Sequence, residues 1–195
     1  MKFQTTSPEN FKTIPWKNGK GNTIEVAINE GGTLDKFDWR LSMAYVVEDG
    51  EFSNFSGYLR NLVLIKGHAI TLHHDNQKSD VLESYLDFAT FNGGNKTTGH
   101  LPNGAITDFN IITNIEKYNV NVLTSTAQSQ LTLSNAELTF IYNLANTDSE
   151  INVGEQHVAL PPKHLFLLEE NFTNQQIKVK GQELILIQLT TKASA

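Results

Sequence analysis

Apolar residues in this chain recur at every second position in short runs, and this spacing constrains the fold more than any other feature. Tyr118, Val120 and Val122 alternate with asparagines, which predicts a strand with one buried face and one solvated face. Similar short runs follow at a spacing of roughly 8–12 residues, with turn residues between them. No segment keeps the period of a long helix. The pattern therefore predicts an all-β chain folded as a sandwich or a barrel.

Two pairs of apolar runs have the form of β-hairpins, because each pair flanks a turn that contains glycine. The first pair joins residues 62–65 to residues 68–72, and the second joins residues 177–179 to residues 184–187. A short helix or turn is predicted over Pro8–Phe11, because a serine that can act as its N-cap precedes the proline. No linker rich in proline or serine divides the chain.

Composition excludes several function classes. The chain has 195 residues and no cysteine, so it contains no disulfide, no thiol nucleophile and no thiolate zinc site. Its 15 basic and 21 acidic residues give a formal net charge of -6, which argues against binding nucleic acid through the phosphate backbone. No run of about 18 apolar residues predicts a membrane span, and the first residues lack the pattern of a signal peptide. We expect a cytoplasmic protein with neither a nucleic-acid nor a membrane partner.

The first candidate ligand-binding segment is Pro15–Thr23, in which glycines allow the backbone to approach a ligand closely. It is not a phosphate-binding P-loop, because the glycine pattern before a Gly-Lys-Ser/Thr sequence is missing. It is not a dinucleotide fingerprint either, since Ile24 stands at the position of the third glycine. From the spacing alone, an ordinary Asn-Gly turn is the alternative interpretation.

The second candidate segment is Phe37–Ser42. On a strand, Arg40 and Ser42 would share one face with Asp38, and Trp39 would lie on the other. An arginine in a half-buried site can hold a carboxylate through two hydrogen bonds. The alternative is a surface pair of Asp38 with Arg40, with Trp39 in the core.

The third candidate segment is Gly104–Ile112. Asp108 and Asn110 would share one strand face, and Phe109 would lie on the other. Two polar residues that point inward fit a ligand cavity, whereas outward they are plain solvated residues. Periodicity does not decide between the two orientations.

The histidines predict no metal site. A metal-binding cupin presents two histidines one residue apart on one strand face, whereas His73 and His74 are adjacent and would point to opposite faces. His68 and His74 share a face but are separated by about 20 Å along an extended strand, too far for one metal ion to bridge. We therefore expect no metal and no other cofactor. The histidines expected at the surface are His73, His100, His157 and His164.

A longer series of motifs carries a family resemblance over roughly residues 10–112. Its first part is Pro15-Trp16-Lys17-Asn18-Gly19 with Gly21, Thr23 and Glu25, followed by Phe37-Asp38-Trp39-Arg40-Leu41-Ser42 with Ala44. Its second part is Asp49-Gly50, Phe52-Ser53, Phe55, Gly57, Arg60, Leu62 through Leu64, Gly67, Leu101, Gly104 and Asp108-Phe109-Asn110. In this order and spacing the chain resembles the HutD/Ves family. Ile24 departs from the family pattern, in which an arginine usually precedes the glutamate.

The resemblance implies a bicupin, that is, two cupin-like jelly-roll β-barrels in one chain without the usual metal ligands. It implies one such unit over residues 1–195, with approximate lobes 1–112 and 113–195. HutD members are associated with bacterial histidine utilisation. They are thought to bind a small metabolite of that pathway, such as formimino-glutamate or urocanate, and to limit expression of the pathway. Ves members are associated with cold and stress responses, and neither branch has a secure catalytic reaction.

The preferred hypothesis is a non-enzymatic protein that binds a small carboxylate ligand and acts as a sensor. A barrel mouth suits a small acid held by a few polar anchors. The predicted site residues are Lys17, Arg40 and Arg60 for positive charge, Asn18, Asp108 and Asn110 for orientation of the ligand, Trp16 and Trp39 as apolar walls, and beside them Gly19, Glu25 and Ser42.

Two other function classes stay open. An enzyme would be a metal-free isomerase or hydrolase acting on a small acid, with Asp108 or Glu25 as general base and Lys17 stabilising negative charge. A structural or interaction protein would use its barrels for oligomerisation. This role is compatible with the sensor hypothesis, since cupins often form homodimers by sheet packing. A strongly raised carboxyl pKa in a closed cavity favours the enzyme, whereas an exposed apolar patch without a pocket favours the interaction protein.

Overall fold

The computed structural model describes residues 2–16, 21–75, 77–169 and 176–193. Every helix or strand in these residues is a β-strand, except for a 3-10 turn at Pro8–Asn10. The N–H of Glu9 donates to Oγ of Ser7 over 3.2 Å, as expected for an N-cap. The all-β prediction is confirmed. Within the same residues, no helix is long and apolar enough to cross a membrane.

The chain divides into two compact units, which we call the N-terminal barrel (Phe11–Lys117) and the C-terminal barrel (Met1–Asn10 with Tyr118–Ala195). Strands β2 to β11 build the first, and β1 with β12 to β19 build the second. The strands are β1 (Lys2–Thr6), β2 (Lys12–Pro15), β3 (Asn22–Ile28), β4 (Trp39–Val46), β5 (Gly50–Glu51), β6 (Tyr58–Lys66), β7 (Ile70–His74), β8 (Ser79–Leu82), β9 (Phe88–Asn92), β10 (Thr97–His100), β11 (Ile106–Asn114), β12 (Tyr118–Ser125), β13 (Ser129–Leu133), β14 (Leu138–Asn143), β15 (Ser149–Val153), β16 (Gln156–Leu160), β17 (Leu165–Glu169), β18 (Ile177–Gly181) and β19 (Leu184–Thr191).

The first strand belongs to the C-terminal barrel, and this differs from the predicted lobes 1–112 and 113–195. β1 pairs antiparallel with β17, from Lys2 opposite Glu169 to Thr6 opposite Leu165. The main-chain groups of β1 thus find their partners in the C-terminal barrel. Residues 1–10 therefore group with residues 118–195.

The N-terminal barrel consists of two sheets. The larger has the strand order β2-β3-β4-β11-β6-β9, and the smaller has the order β5-β10-β7-β8. Alternating residues of β6 and β7 join one buried apolar cluster, which includes Leu62, Leu64, Ile70 and Leu72. Because β6 and β7 lie in different sheets, this cluster is the core that holds the two sheets together.

The C-terminal barrel also has two sheets, with the orders β1-β17-β14-β19-β12 and β13-β18-β15-β16. Phe3 of β1 stacks on Phe166 of β17 with ring centroids 5.5 Å apart. The buried core of this barrel is Leu133, Ile141, Ile151, Val153, Leu160, Phe166, Leu168, Ile177, Val179, Leu184 and Leu186. The first strand thus contributes a core contact as well as main-chain hydrogen bonds.

Both predicted hairpins are wrong, although the strands that they contain exist. β6 and β7 lie in different sheets, and so do β18 and β19. At the first turn, Gly67 has a φ of 99°, and a Cβ atom there would lie 2.8 Å from the carbonyl oxygen of Ala105. The glycine therefore forms a corner that moves the chain from one sheet to the other, and not the tight turn of a hairpin.

Three neighbouring strands place the polar residues of the N-terminal barrel on one face. Ile112 of β11 pairs with Arg40 of β4 on one side and with Arg60 of β6 on the other. Two residues along β11, Asn110 pairs with Ser42. Side chains two residues apart on a strand share a face, so both arginines point to the same side of the sheet as Ser42 and Asn110.

Candidate functional site

An open cavity of about 690 Å³ lies at this polar face of the N-terminal barrel. Its volume falls in the range of roughly 300–1,000 Å³ that is common for small-molecule sites. The chain has only two arginines, and both line the cavity. Its polar wall includes Arg40, Ser42, Arg60 and Asn110, and its apolar wall includes Ile14, Trp16, Phe52, Phe55 and Ile112.

Arg60 is the most deeply buried cation of the wall, with 3% of its surface exposed. Its guanidinium carbon lies 5.2 Å from the ring centroids of Phe52 and Phe91 and 5.5 Å from that of Phe55. These three rings, which we call the aromatic cage, stabilise a cation that water hydrates poorly. Burial lowers the pKa of Arg60 to about 10, so the guanidinium remains charged at neutral pH.

The guanidinium of Arg60 has N–H donors that its hydrogen-bond partners among the described residues do not use. Nη2 donates to Oδ1 of Asn110 over 2.7 Å, and Nη1 donates to the carbonyl oxygen of Ser53 over 3.3 Å. Nε is buried and has no hydrogen-bond partner in the part of the chain that the structure describes. Arginine offers five N–H donors in a planar fork, which is the geometry that recognises a carboxylate. The wall therefore presents both the charge and the donors that such an anion needs.

Arg40 is also buried, but its charge is balanced inside the protein. Its Nε lies 2.8 Å from Oε2 of Glu25, with side chains 7% and 8% exposed. Glu25 is not part of the cavity wall, whereas Arg40 is. The pair carries no net charge as a unit, so among the described residues Arg60 is the arginine of the wall without a directly paired carboxylate.

Asp108 lies behind the wall and is fully buried. Its Oδ1 accepts a hydrogen bond from Nδ2 of Asn110, and its Oδ2 has no hydrogen-bond partner among the described residues. Burial raises the pKa of Asp108 to about 7, although the charge of Arg60, the hydrogen bond from Asn110 and a backbone contact with Ala44 act in the opposite direction. Near neutral pH the carboxyl group is therefore present in both protonation states.

Three acidic residues, Glu48, Asp49 and Glu51, also line the cavity, and two of them contact neighbours outside it. Asp49 accepts a hydrogen bond from the N–H of Leu101 over 2.7 Å and lies 2.6 Å from Nδ1 of His100. These contacts, the backbone hydrogen bond first, hold the pKa of Asp49 below its ordinary value. Oε2 of Glu51 lies 3.6 Å from Nζ of Lys96. Neither carboxylate is thus paired with an arginine of the cavity.

Trp16 is held in the wall by two hydrogen bonds and a glycine. Its Nε1 donates to Oγ1 of Thr23 over 2.9 Å, and its main-chain N–H donates to the carbonyl oxygen of Gly21 over 2.9 Å. A Cβ atom at Gly21 would lie 3.0 Å from the indole ring. The backbone of Gly21 therefore packs closely against the tryptophan ring, whereas the sequence led us to expect its close approach to a ligand.

The structure brings about half of the predicted site residues together. Those that line the cavity are Trp16, Arg40, Ser42, Arg60 and Asn110. Two others, Glu25 and Asp108, stand behind the wall as hydrogen-bond partners of Arg40 and Asn110. Lys17, Asn18 and Gly19 lie outside the described residues.

Trp39 does not line the cavity, contrary to the prediction that it forms an apolar wall. It neighbours Arg40 on β4, and alternation places it on the opposite face, where it is 6% exposed. The alternative surface pair of Asp38 with Arg40 is also absent. Oδ1 of Asp38 lies 2.7 Å from Nζ of Lys117 instead.

The sequence patterns do not predict the aromatic cage. Phe52 and Phe55 follow β5, whereas Phe91 lies on β9, so they meet only when both sheets are assembled. One signal in the sequence does point to the site. Cations elsewhere in the chain are lysines, and arginine is the residue suited to buried, planar recognition of anions.

The described residues contain no group of three or more histidine, aspartate or glutamate side chains placed to hold a metal ion. His74 is buried, with its ring nitrogens 2.9 Å from Oγ1 of Thr97 and 3.0 Å from Oδ2 of Asp80. Its ring centroid lies 4.8 Å from that of Phe91. His74 thus belongs to the packing of the barrel. Of the histidines expected at the surface, His73, His100 and His157 are exposed and His164 is half-buried.

Comparisons with known proteins agree on one family. The family model described as HutD matches residues 8–187. A Pseudomonas putida protein described as an uncharacterized 21.2 kDa protein in the hutC 3' region is 39% identical over 116 residues, which cover 60% of each chain. Protein Ves of Escherichia fergusonii is 36% identical over 99 residues, which cover 50% of this chain and 51% of that protein. The matched stretches thus span less than two thirds of these relatives.

Solved structures match the fold over nearly the whole chain. HutD from Pseudomonas fluorescens SBW25 (formate condition) is similar with a TM-score of 0.82 and 29% identity, covering 98% of this chain and 100% of that one. A conserved protein of unknown function from Pseudomonas aeruginosa PAO1 is similar with a TM-score of 0.85 and 27% identity, covering 97% and 100%. YhhW from Escherichia coli is similar in fold alone, with a TM-score of 0.67 and 7% identity over 100% of both chains. The predicted bicupin fold is confirmed.

Proposed function

The chain belongs to the HutD family, and from this premise we propose that its N-terminal barrel binds a small organic carboxylate and thereby senses or modulates histidine utilisation. Formimino-glutamate and urocanate are the candidate ligands that the family resemblance implies. One relative is described by its position in the hutC 3' region, which supports an assignment of this chain to the same pathway.

The observation that carries the proposal is the state of Arg60. A buried guanidinium with an unpaired Nε lines a cavity of ligand size. Asp108, whose charge interacts with that of Arg60, has a pKa of about 7, so the positive charge is not fully balanced at neutral pH. A buried charge and an unmet donor are both unfavourable by themselves. A ligand carboxylate beside Arg60 would balance this charge and would accept from the guanidinium N–H groups that Asn110 and Ser53 do not use.

The surrounding wall supports a ligand with a second polar group. Arg40 and Arg60 flank Ile112 on the two neighbouring strands, so their backbones are separated by about 10 Å, twice the spacing of adjacent strands. In the described chain, the Arg40 guanidinium makes one hydrogen bond, through Nε, which leaves its Nη groups for another partner. A compact dicarboxylate such as formimino-glutamate matches this spacing better than a monocarboxylate does.

An enzyme is the second candidate, and one observation favours it. A carboxyl pKa of about 7 is typical of a general base, and Asp108 has that value. Its position argues against the role, because Asp108 is fully buried and is not among the residues that line the cavity. Glu25, the other predicted base, is paired with Arg40. A binding role therefore accounts for more of the site than catalysis does.

The proposed function is tested by thermal unfolding with formimino-glutamate, urocanate, histidine and glutamate at millimolar concentration. A ligand present at about 100 times its dissociation constant stabilises the folded state by about 2.7 kcal/mol. We expect a clear rise in Tm with one of the first two compounds, and the Arg60→Met variant should lose that rise. A Tm that none of the four compounds changes would contradict the proposal.

A further inference from the structure

Asp108 is connected to the cavity by two hydrogen bonds in series. Oδ1 of Asp108 accepts from Nδ2 of Asn110, and Oδ1 of Asn110 accepts from Nη2 of Arg60 over 2.7 Å. Asn110 and Arg60 line the cavity, whereas Asp108 lies behind them. We call these three residues the Asp108 relay. A change at the buried carboxyl group can therefore reach the cavity through one side-chain amide.

The relay determines which way the amide of Asn110 points. A guanidinium has donors only, so the amide oxygen must face Arg60 and the amide nitrogen must face an acceptor. Oδ1 of Asp108 is that acceptor. It can accept in both protonation states, because the proton can reside on Oδ2, which has no hydrogen-bond partner within the described residues. Asp108 thus holds the amide that in turn holds Nη2 of Arg60.

From this geometry we infer that Asp108 is a positioning residue of the carboxylate site, and that it takes up a proton when a ligand carboxylate binds to Arg60. The inference rests on the proposed function, since it requires an anion beside Arg60.

Proton uptake follows from the charges that face Asp108. Arg60 on β6 is the cation whose field favours its ionised form. A ligand carboxylate at Arg60 adds a second negative charge beside the same cation, and two nearby carboxylates resist being ionised together. On the opposite flank, Arg40 on β4 is already balanced by Glu25 on β3, so it adds no net charge. Protonation of Asp108 is the local change that relieves the repulsion.

The test is the pH dependence of glutarate binding to the full-length protein. Isothermal titration calorimetry between pH 6.5 and 8.5, in two buffers of different ionisation enthalpy, measures both the affinity and the protons taken up. Glutarate stays doubly ionised over this range. For the wild type, we expect the affinity to fall as the pH rises above the pKa of Asp108. The decrease should reach at most about tenfold per pH unit, which corresponds to the uptake of one proton per ligand.

Two variants of Asp108 separate its two roles. Asp108→Asn keeps an acceptor for Asn110 but does not titrate, so its affinity should stay within about twofold across the pH range, with no proton uptake. Asp108→Leu removes the acceptor, so its affinity should be at least tenfold weaker at every pH. Asp38→Asn is the matched control, because it removes a carboxylate whose partner is Lys117, and it should keep the wild-type pH profile.

The outcomes distinguish this inference from the proposed function. Wild-type binding that does not change with pH, or an unchanged pH slope in Asp108→Asn, overturns proton uptake. Wild-type affinity in Asp108→Leu overturns the positioning role. A wild-type protein that binds neither glutarate nor formimino-glutamate nor urocanate overturns the proposed function, and the inference fails with it.

Discussion

Arg40 and Glu25 form a buried ion pair across the neighbouring strands β4 and β3, with Nε 2.8 Å from Oε2 and less than a tenth of either side chain exposed. Removal of one partner leaves the other as a buried charge without compensation. Glu25 therefore has a structural role as the partner of Arg40. It also distinguishes the two arginines of the cavity, because Arg40 is balanced inside the protein whereas Arg60 is balanced only in part.

The first prediction concerns the stability of this pair. Arg40→Met should lower the free energy of unfolding by about 3–5 kcal/mol, because Glu25 stays buried and unpaired. The double variant Arg40→Met with Glu25→Gln removes both charges and should recover most of that loss. Urea unfolding at pH 7 of the wild type, both single variants and the double variant completes the cycle. Losses that simply add would show that the two side chains are not coupled.

The second prediction concerns the affinity of the site for a carboxylate. Arg60→Met keeps an apolar stem against the aromatic cage but removes the charge, so the affinity should fall about 100-fold, which corresponds to about 2.7 kcal/mol. Arg60→Lys keeps the charge but not the planar fork, so its affinity should lie between those of the wild type and Arg60→Met. Isothermal titration calorimetry with formimino-glutamate measures both. A folded Arg60→Met protein with wild-type affinity would remove Arg60 from the site.

The third prediction uses the two tryptophans as reporters. Trp16 lines the cavity, whereas Trp39 lies on the opposite face of β4. A ligand that does not absorb should therefore change the fluorescence of Trp16 and leave that of Trp39 nearly unchanged. We expect Trp39→Phe to keep the response to glutarate and Trp16→Phe to lose it. The reverse result would place the ligand elsewhere.

The fourth prediction concerns stability as a function of pH. The pKa of Asp108 rises from its ordinary value of 3.8 to about 7 in the folded protein. The folded state thus binds this proton more tightly than the unfolded state, and the contribution of Asp108 to stability falls as the pH rises from about 4 to about 7. Each pH unit in this interval corresponds to about 1.4 kcal/mol.

Asp108→Asn lacks this contribution. Between pH 5 and pH 8, the wild type should therefore lose about 2–3 kcal/mol of unfolding free energy that the variant does not lose. Urea unfolding of both proteins at the two pH values gives the difference directly. A difference that is the same at pH 5 and pH 8 would mean that Asp108 does not titrate in this interval.

The fifth prediction concerns the corner at Gly67. Gly67→Ala combines a positive φ with close contacts to Ala105 and Ile106, so it should lower stability by about 2–5 kcal/mol. Gly31 also has a positive φ, but a Cβ atom there would meet nothing within 4 Å. Gly31→Ala is therefore the matched control and should cost about 1 kcal/mol. Equal losses of Tm in the two variants would argue against a close-packed corner.

Local spacing predicted much of the fold, because strand alternation is a property of neighbouring residues. It predicted the all-β class and placed Arg40 and Ser42 on one strand face, opposite Trp39. The ordered motifs between residues 10 and 112 predicted the family, which the match over residues 8–187 confirms. Ligand identity, oligomeric state and cytoplasmic location stay predictions.

The pairing of strands was not predictable from the same patterns. Short apolar runs around a glycine occur both in hairpins and at corners between sheets, and the runs joined at Gly67 proved to be a corner. The choice depends on which distant strands cover each run, and that is settled by long-range packing.

The sequence by itself determined the class of fold, the family and the residues that share a strand face, because these depend on local periodicity and on the order of motifs. The tertiary structure alone decided that Arg40 and Arg60 flank Ile112, that Phe52, Phe55 and Phe91 surround Arg60, and that Asn110 links Asp108 to Arg60. The physical reason is that burial and charge balance arise only when strands far apart in sequence pair in register and the sheets close over them.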